Sequence, residues 1–198
     1  IPVYEYADSD KDGIGDLRGI IENLDSLNDV NPNTNTDLGI NGIVLSPIYH
    51  TKGKSKNEPL NYFEIDPDYG NMVDLEELIS ESNKRGMKLI LEMELNHTSI
   101  DHEWFKQAVS TKDNSFRNYY NLRDLDFKQS EEPRLVNEDS LWHRTEDLQY
   151  FSYNGSVLAD LNYENKELRS DIEDVAAFYL EKGVNGFKLN NINNIYTY

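Results

Sequence analysis

Apolar positions recur along the chain in two alternating rhythms. Ile1 to Tyr6 mixes apolar and aromatic residues and predicts a short strand. Leu17, Ile20, Ile21, Leu24 and Leu27 fall at helical spacing and predict a helix over 17–27. Ile43-Val44-Leu45 predicts a second short strand, ended by Pro47, and the lysine-rich stretch from Thr51 to Asn61 a polar loop. A second amphipathic helix is expected over 73–85, with Leu75, Leu78 and Ile79 inward and Asp74, Glu76 and Glu77 at its acidic start. The run GMKLILEMEL, residues 86–95, predicts a third strand. Residues 96–156 are irregular and rich in Tyr, Trp and charge; their aromatic groups Trp104-Phe105, Tyr119-Tyr120 and Tyr150-Phe151-Tyr153 read as the small core of an insert. A third helix follows over 166–181, with Leu168, Ile172, Val175, Ala176 and Tyr179 on one side. VNGFKLN, residues 184–190, predicts a fourth strand with Phe187 and Leu189 buried.

Strand and helix alternate, which predicts an α/β fold of parallel strands joined by right-handed crossovers. An open doubly wound sheet and half of a (β/α)8 barrel both fit this order. No glycine-rich phosphate loop follows the first strand, which counts against a dinucleotide fold.

Composition narrows the function classes. The 198 residues are 37% hydrophobic and 28% charged, as in a globular chain with a real core. A net charge of -18 argues against a nucleic-acid partner, because holding phosphates takes clustered Lys and Arg. There is no cysteine, hence no internal disulfide, and no apolar run long enough to span a bilayer. The abrupt opening on Ile1-Pro2-Val3-Tyr4 reads as that of a fragment whose targeting segment lies outside these residues. Two glycosylation sequons occur, Asn96-His97-Thr98 and Asn154-Gly155-Ser156.

Candidate chemistry concentrates at two places. DSDKDGIGD sets Asp8, Asp10, Asp12 and Asp16 in one tight loop with the Ile14 carbonyl nearby. Alternating carboxylates around a glycine bend can wrap a hard cation, and a solvated Asp/Gly turn has the same composition. At the far end, the tip of the fourth strand carries two neutral amides, Asn190 and Asn191.

The blocks DSDKDGIGDLRGI, LGINGIVLSPIY, IDPDYGNMVDLEELISESNKRGMKLILEMELNHTS, HEWF, DLNYENKELR and YLEKGVNGFKLN resemble, in order, the α-glucosidases and oligo-1,6-glucosidases of the α-amylase family, glycoside hydrolase family 13. The resemblance implies the N-terminal half of a (β/α)8 TIM barrel with an irregular domain inserted after the third strand. Barrel strands 1–3 and their helices would occupy 1–95, the insert 96–156, and barrel helix 3 with strand 4 157–198, the chain then stopping just past strand 4. It also implies Ca2+ as the cofactor, held by Asp8, Asp10, Asp12, the carbonyl of Ile14, and Asp16.

The same resemblance implies damaged chemistry. A retaining glycosidase needs an ionised nucleophile and a protonated acid. The family's GFRLD ends in its nucleophilic Asp, where this chain reads Gly186-Phe187-Lys188-Leu189-Asn190. Asn190 is thus a degenerate nucleophile position, and Lys188 lacks the planar fork of the family's Arg. Glu92 replaces the family's Asp before Asn96-His97, and Lys56-Asn57-Glu58 replaces a Gly-Tyr-Asp sugar platform. His97 remains as a weak substrate-binding candidate, and it reads first as a histidine held in place by its neighbours. Glu92 and Asn96 are expected to tie the third strand to the insert, and Asn190 to bond a neighbouring strand tip.

These features point to a catalytically degenerate, glucosidase-like ectodomain, a glycoprotein at the cell surface or outside the cell. In that reading it is a non-enzymatic heavy chain whose partner is the light chain of an amino-acid transporter, because LSPIYHTKGKSKNEPLNYFEIDPDYG resembles such chains. The alternatives are a truncated or mutated α-glucosidase acting on an α-glucoside substrate by the retaining route, and a secreted or surface receptor or decoy on the same fold.

Overall fold

A computed structural model describes residues 1–53, 56–126 and 141–195. Lys54 and Ser55 of the lysine-rich stretch, and residues 127–140 of the insert, lie outside the described residues. The chain forms two compact units. One comprises Ile1–His50, Tyr62–Met93 and Asp174–Leu189; the other comprises Thr51–Asn61, Glu94–Glu173 and Asn190–Tyr198.

In chain order the elements are α1 (Val3–Tyr6), α2 (Leu17–Glu22), α3 (Leu24–Leu27), β1 (Gly42–Leu45), β2 (Tyr49–Lys52), β3 (Glu58–Ile65), α4 (Met72–Lys84), β4 (Lys88–Glu94), β5 (His97–Ser99), α5 (Glu103–Ser110), β6 (Leu122–Asp124), β7 (Trp142–Arg144), β8 (Leu148–Phe151), β9 (Leu158–Asp160), α6 (Lys166–Glu181) and β10 (Gly186–Asn190). A three-stranded sheet runs in the order β1-β4-β10, with β1 and β4 parallel from Gly42↔Lys88 to Leu45↔Leu91. The parallel pairing is that expected from the strand-helix alternation, and the sheet is part of the α/β barrel that the family resemblance implies.

The parallel strands bury one face. Ile43, Leu45, Leu89 and Leu91 alternate with exposed or half-buried neighbours, the period-two pattern of a strand with one packed side. On α4 the buried residues are Leu75, Leu78, Ile79 and Ser82. Asn71 starts this helix with a capping box: its side chain accepts from Val73 N–H at 2.8 Å, and Asp74 accepts from Asn71 N–H at 3.0 Å. Tyr179 of α6 is fully buried and donates its hydroxyl to the Tyr62 carbonyl at 2.7 Å.

Four local expectations change. The predicted first strand survives only at Ile1, which exchanges backbone hydrogen bonds with Val44 and Ser46 before the chain turns into the helical residues Val3–Tyr6. The helix expected over 17–27 is two short helices broken at Asn23, whose side chain bonds back to the Gly19 carbonyl at 2.8 Å. The polar loop over 51–61 contributes to the two-stranded sheet of β2 and β3. Leu189 is 42% exposed and Phe187 half-buried, not interior, because β10 lies at the edge of its sheet and no further strand among the described residues covers it.

The second unit is antiparallel. β5 pairs β9, and β8 lies between β6 and β7. Phe105 centres its core, edge-on to Tyr120 at 5.1 Å and to Tyr150 at 5.0 Å. Tyr153 departs from the aromatic-core expectation and is 41% exposed.

Candidate functional site: an acidic loop and a strand tip

The acidic loop is built by close backbone approach. A Cβ on Gly15 would lie 2.1 Å from the Val3 carbonyl oxygen, and one on Gly19 would lie 2.2 Å from that of Ala7. Only glycine lets the segment press against α1. Asp8, Asp10 and Asp16 then each bring a carboxylate oxygen within 4.8 Å of the others. Asp8 accepts from the N–H groups of Gly13 and Lys11, and these bonds, that of Gly13 foremost, hold its carboxyl below the usual carboxylate range. Asp16 caps α2 through Gly19 N–H at 2.6 Å and accepts from Ser9. Asp12 turns to its own loop, accepting from Ile14 N–H at 2.8 Å. Three converging oxygen donors suit a hard cation.

The strand tip is assembled from residues distant in sequence. Lys188 of β10 donates to Glu92 of β4 at 2.7 Å, a bond along the parallel sheet. Two residues further along the same strands, Asn190 Nδ2 donates to Glu94 Oε1 at 2.6 Å. Asn191 Nδ2 donates to Glu94 Oε2 at 2.8 Å. Glu94 is only 6% exposed, so the carboxylate at this tip belongs to residue 94.

Next to it along the chain is a buried polar group. His97 is 1% exposed; its Nε2 donates to the Asn57 carbonyl at 2.9 Å, and its Nδ1 faces Asn154 Nδ2 at 3.3 Å. Burial lowers its pKa, against the pull of Asn57 and Glu94, and the bonding matches a neutral ring held in place. Opposite it in the β5–β9 register lies Asp160, whose pKa burial raises to about 7. Asp160 Oδ1 and both polar atoms of Asn96 are buried without a well-formed hydrogen bond among the described residues. Asn96 is 1% exposed, so the first sequon presents no accessible amide, while Asn154 of the second is exposed.

Glu94 and Asp160 are not among the candidate residues that the sequence singles out. Glu94 carried a signal: in LILEME a second acid follows two residues after Glu92, on the same face of a strand otherwise apolar there. Asp160 carried none, since nothing in its own segment marks it as lying opposite His97.

Parallel strands with crossover helices and an antiparallel insert after the third segment define an α/β-barrel catalytic domain of the glycoside hydrolase kind. Residues 3–198 match the alpha amylase catalytic domain, and the chain belongs to that family, glycoside hydrolase family 13. It is similar to the oligo-1,6-glucosidase of Bacillus cereus, 37% identical over 194 residues that cover 95% of this chain and 33% of that protein. It is similar also to the trehalose-6-phosphate hydrolase of Bacillus subtilis, 36% identical over 193 residues that cover 95% of this chain and 33% of that one. Among solved structures, the alpha-amylase from H. orenii superposes with a TM-score of 0.90 at 38% identity, over 100% of this chain and 40% of that chain. The chain thus spans about a third of the length of the relatives it matches. The resemblance to transporter heavy chains finds no support in these comparisons.

Proposed function

We propose that the protein containing this chain takes an α-glucoside as its ligand, as an α-glucosidase-type member of its family. Similarity to an oligo-1,6-glucosidase over 95% of the chain supports the substrate class. The observation that carries the chemistry is the Asn190 amide donating to Glu94 at 2.6 Å. An amide committed to a carboxylate offers no anionic oxygen to an anomeric carbon. The retaining route through residue 190 is therefore closed, and turnover by that route falls by roughly four orders of magnitude.

The second reading is a working α-glucosidase, favoured by the names of its relatives, which are those of hydrolases. One experiment separates the two. Maltose and isomaltose are titrated into the intact protein by calorimetry, and p-nitrophenyl α-glucoside turnover is measured on the same sample. Binding without ordinary turnover supports the first reading. Turnover of the order of 10 s⁻¹, ordinary for an enzyme, establishes the second and overturns the first. Absence of binding for either sugar overturns the α-glucoside assignment.

The acidic loop is assigned to calcium on its donor set. Asp8, Asp10 and Asp16 would hold the ion, with Asp12 holding the bend. Its role there is structural: it offsets repulsion among carboxylates and fastens the loop against α1 and α2.

A further inference from the structure

Glu94, Asn190 and Asn191 carry an inference of their own. Glu94 is 6% exposed and receives one amide donor on each oxygen. Asn191 reaches it by adopting a left-handed backbone, φ 53°, a conformation that asparagine tolerates better than most residues. A buried carboxylate stays in place only when donors satisfy it. Two residues back on the same strands, Lys188 donates to Glu92 in the same sense, so both contacts place the acid on β4 and the donor on β10.

We propose that Glu94 and Asn190 are a matched pair, in which Glu94 is the positioning residue that fixes position 190 as an uncharged donor. Aspartate at 190 would set a carboxylate oxygen about 2.6 Å from Glu94 Oε1, where the amide nitrogen now sits. Two carboxylates at that distance cannot both stay ionised without strong repulsion. Asn190 is then no isolated loss of a nucleophile. It is the residue that Glu94 requires, and a carboxylate returns to 190 only if 94 gives up its own. The exchange N190D/E94Q keeps one acid and one amide and reverses their order.

The test is thermal melting of the intact protein as native, E94Q, N190D, N190A and N190D/E94Q. N190D should lower Tm by roughly 5 °C, and the exchanged form should recover at least half of that loss. N190A removes the donor but adds no charge, so it should fall less than N190D. A non-additive cycle of this sign is the signature of a direct pair. N190D melting with the native protein, or N190D/E94Q melting below N190D, would overturn the proposal. If N190D does not fold and the exchanged form does, the pair is supported. If neither carboxylate form folds while N190A does, it is overturned.

The proposal rests on the α-glucoside reading only for activity, which is read separately. N190D/E94Q should hydrolyse p-nitrophenyl α-glucoside at least tenfold faster than N190D. Recovery of Tm without that gain counts against residue 190 as the reacting position and leaves the pair standing.

Discussion

The acids of residues 8–16 and the buried acids Glu94 and Asp160 meet the same problem by opposite means. Asp8 and Asp10 are exposed, lie within a few residues of Asp16, and are satisfied largely by N–H groups of their own loop. Glu94 takes its donors from residues 96 and 97 positions away, and Asp160 has one oxygen with no well-formed bond among the described residues. Local acids near water keep their charge cheaply, with water and neighbouring N–H groups always at hand. Acids drawn inside depend on the rest of the fold to bring donors, and where one oxygen lacks a well-formed bond, as at Asp160, burial raises the pKa.

The largest expected effect sits with the buried groups. Burial lowers His102 to about 4, and its neutral Nδ1 accepts the Trp104 N–H that opens α5. Its stabilisation is present above the unfolded value of 6.5 and is lost as pH falls through 4, on the order of 3 kcal/mol. Asp160, raised to about 7, has the opposite sign: its stabilisation is present below 3.8 and lost as pH rises toward 7, on the order of 4 kcal/mol. The two slopes oppose each other between pH 4 and 6.5. Denaturant titrations across that window should show D160N losing stability on acidification more steeply than the native protein, and H102N gaining it. Parallel curves for all three proteins would show that neither burial matters to titration.

Next comes the exposed loop. Gly15→Ala places a methyl group 2.1 Å from the Val3 carbonyl oxygen and should cost about 3 kcal/mol in urea denaturation. A loss under about 1 kcal/mol would mean that the loop gives way without strain. Calcium at a hundred times its Kd should then add about 2.7 kcal/mol to the native protein and little to D8N/D10N, the difference vanishing in chelator. Equal responses of the two proteins to calcium would place the ion elsewhere. The smallest effect belongs to the pair of Lys188 and Glu92, whose lysine side chain is 56% exposed. K188M should cost under about 1 kcal/mol in the same urea assay, since solvent screens the pair. A larger loss would give this contact the weight assigned above to Glu94.

Much of the fold is legible in the sequence. Helical spacing placed α4 to within a residue at either end and α6 at its observed bounds, because a helix facing a core must repeat its apolar residues. The apolar runs located β1 and β4 for the equivalent reason at period two. The first strand and the burial of β10 were not legible. Both depend on which strand lies alongside, and local sequence carries no record of its neighbour.

The chain's own order of residues was enough to bring Asp8, Asp10 and Asp16 together, since nine residues with glycines at the contacts leave the loop few ways to run. It also placed two neutral amides, Asn190 and Asn191, at the tip of the fourth predicted strand. Only the folded chain decided what those amides do. Glu94 and Asn190 lie 96 residues apart, and their hydrogen bond exists because the sheet sets β10 beside β4. Strand pairing is fixed by the hydrophobic pattern over the whole sheet, so the partner of a strand-tip residue is a property of the sheet and not of the segment that carries it.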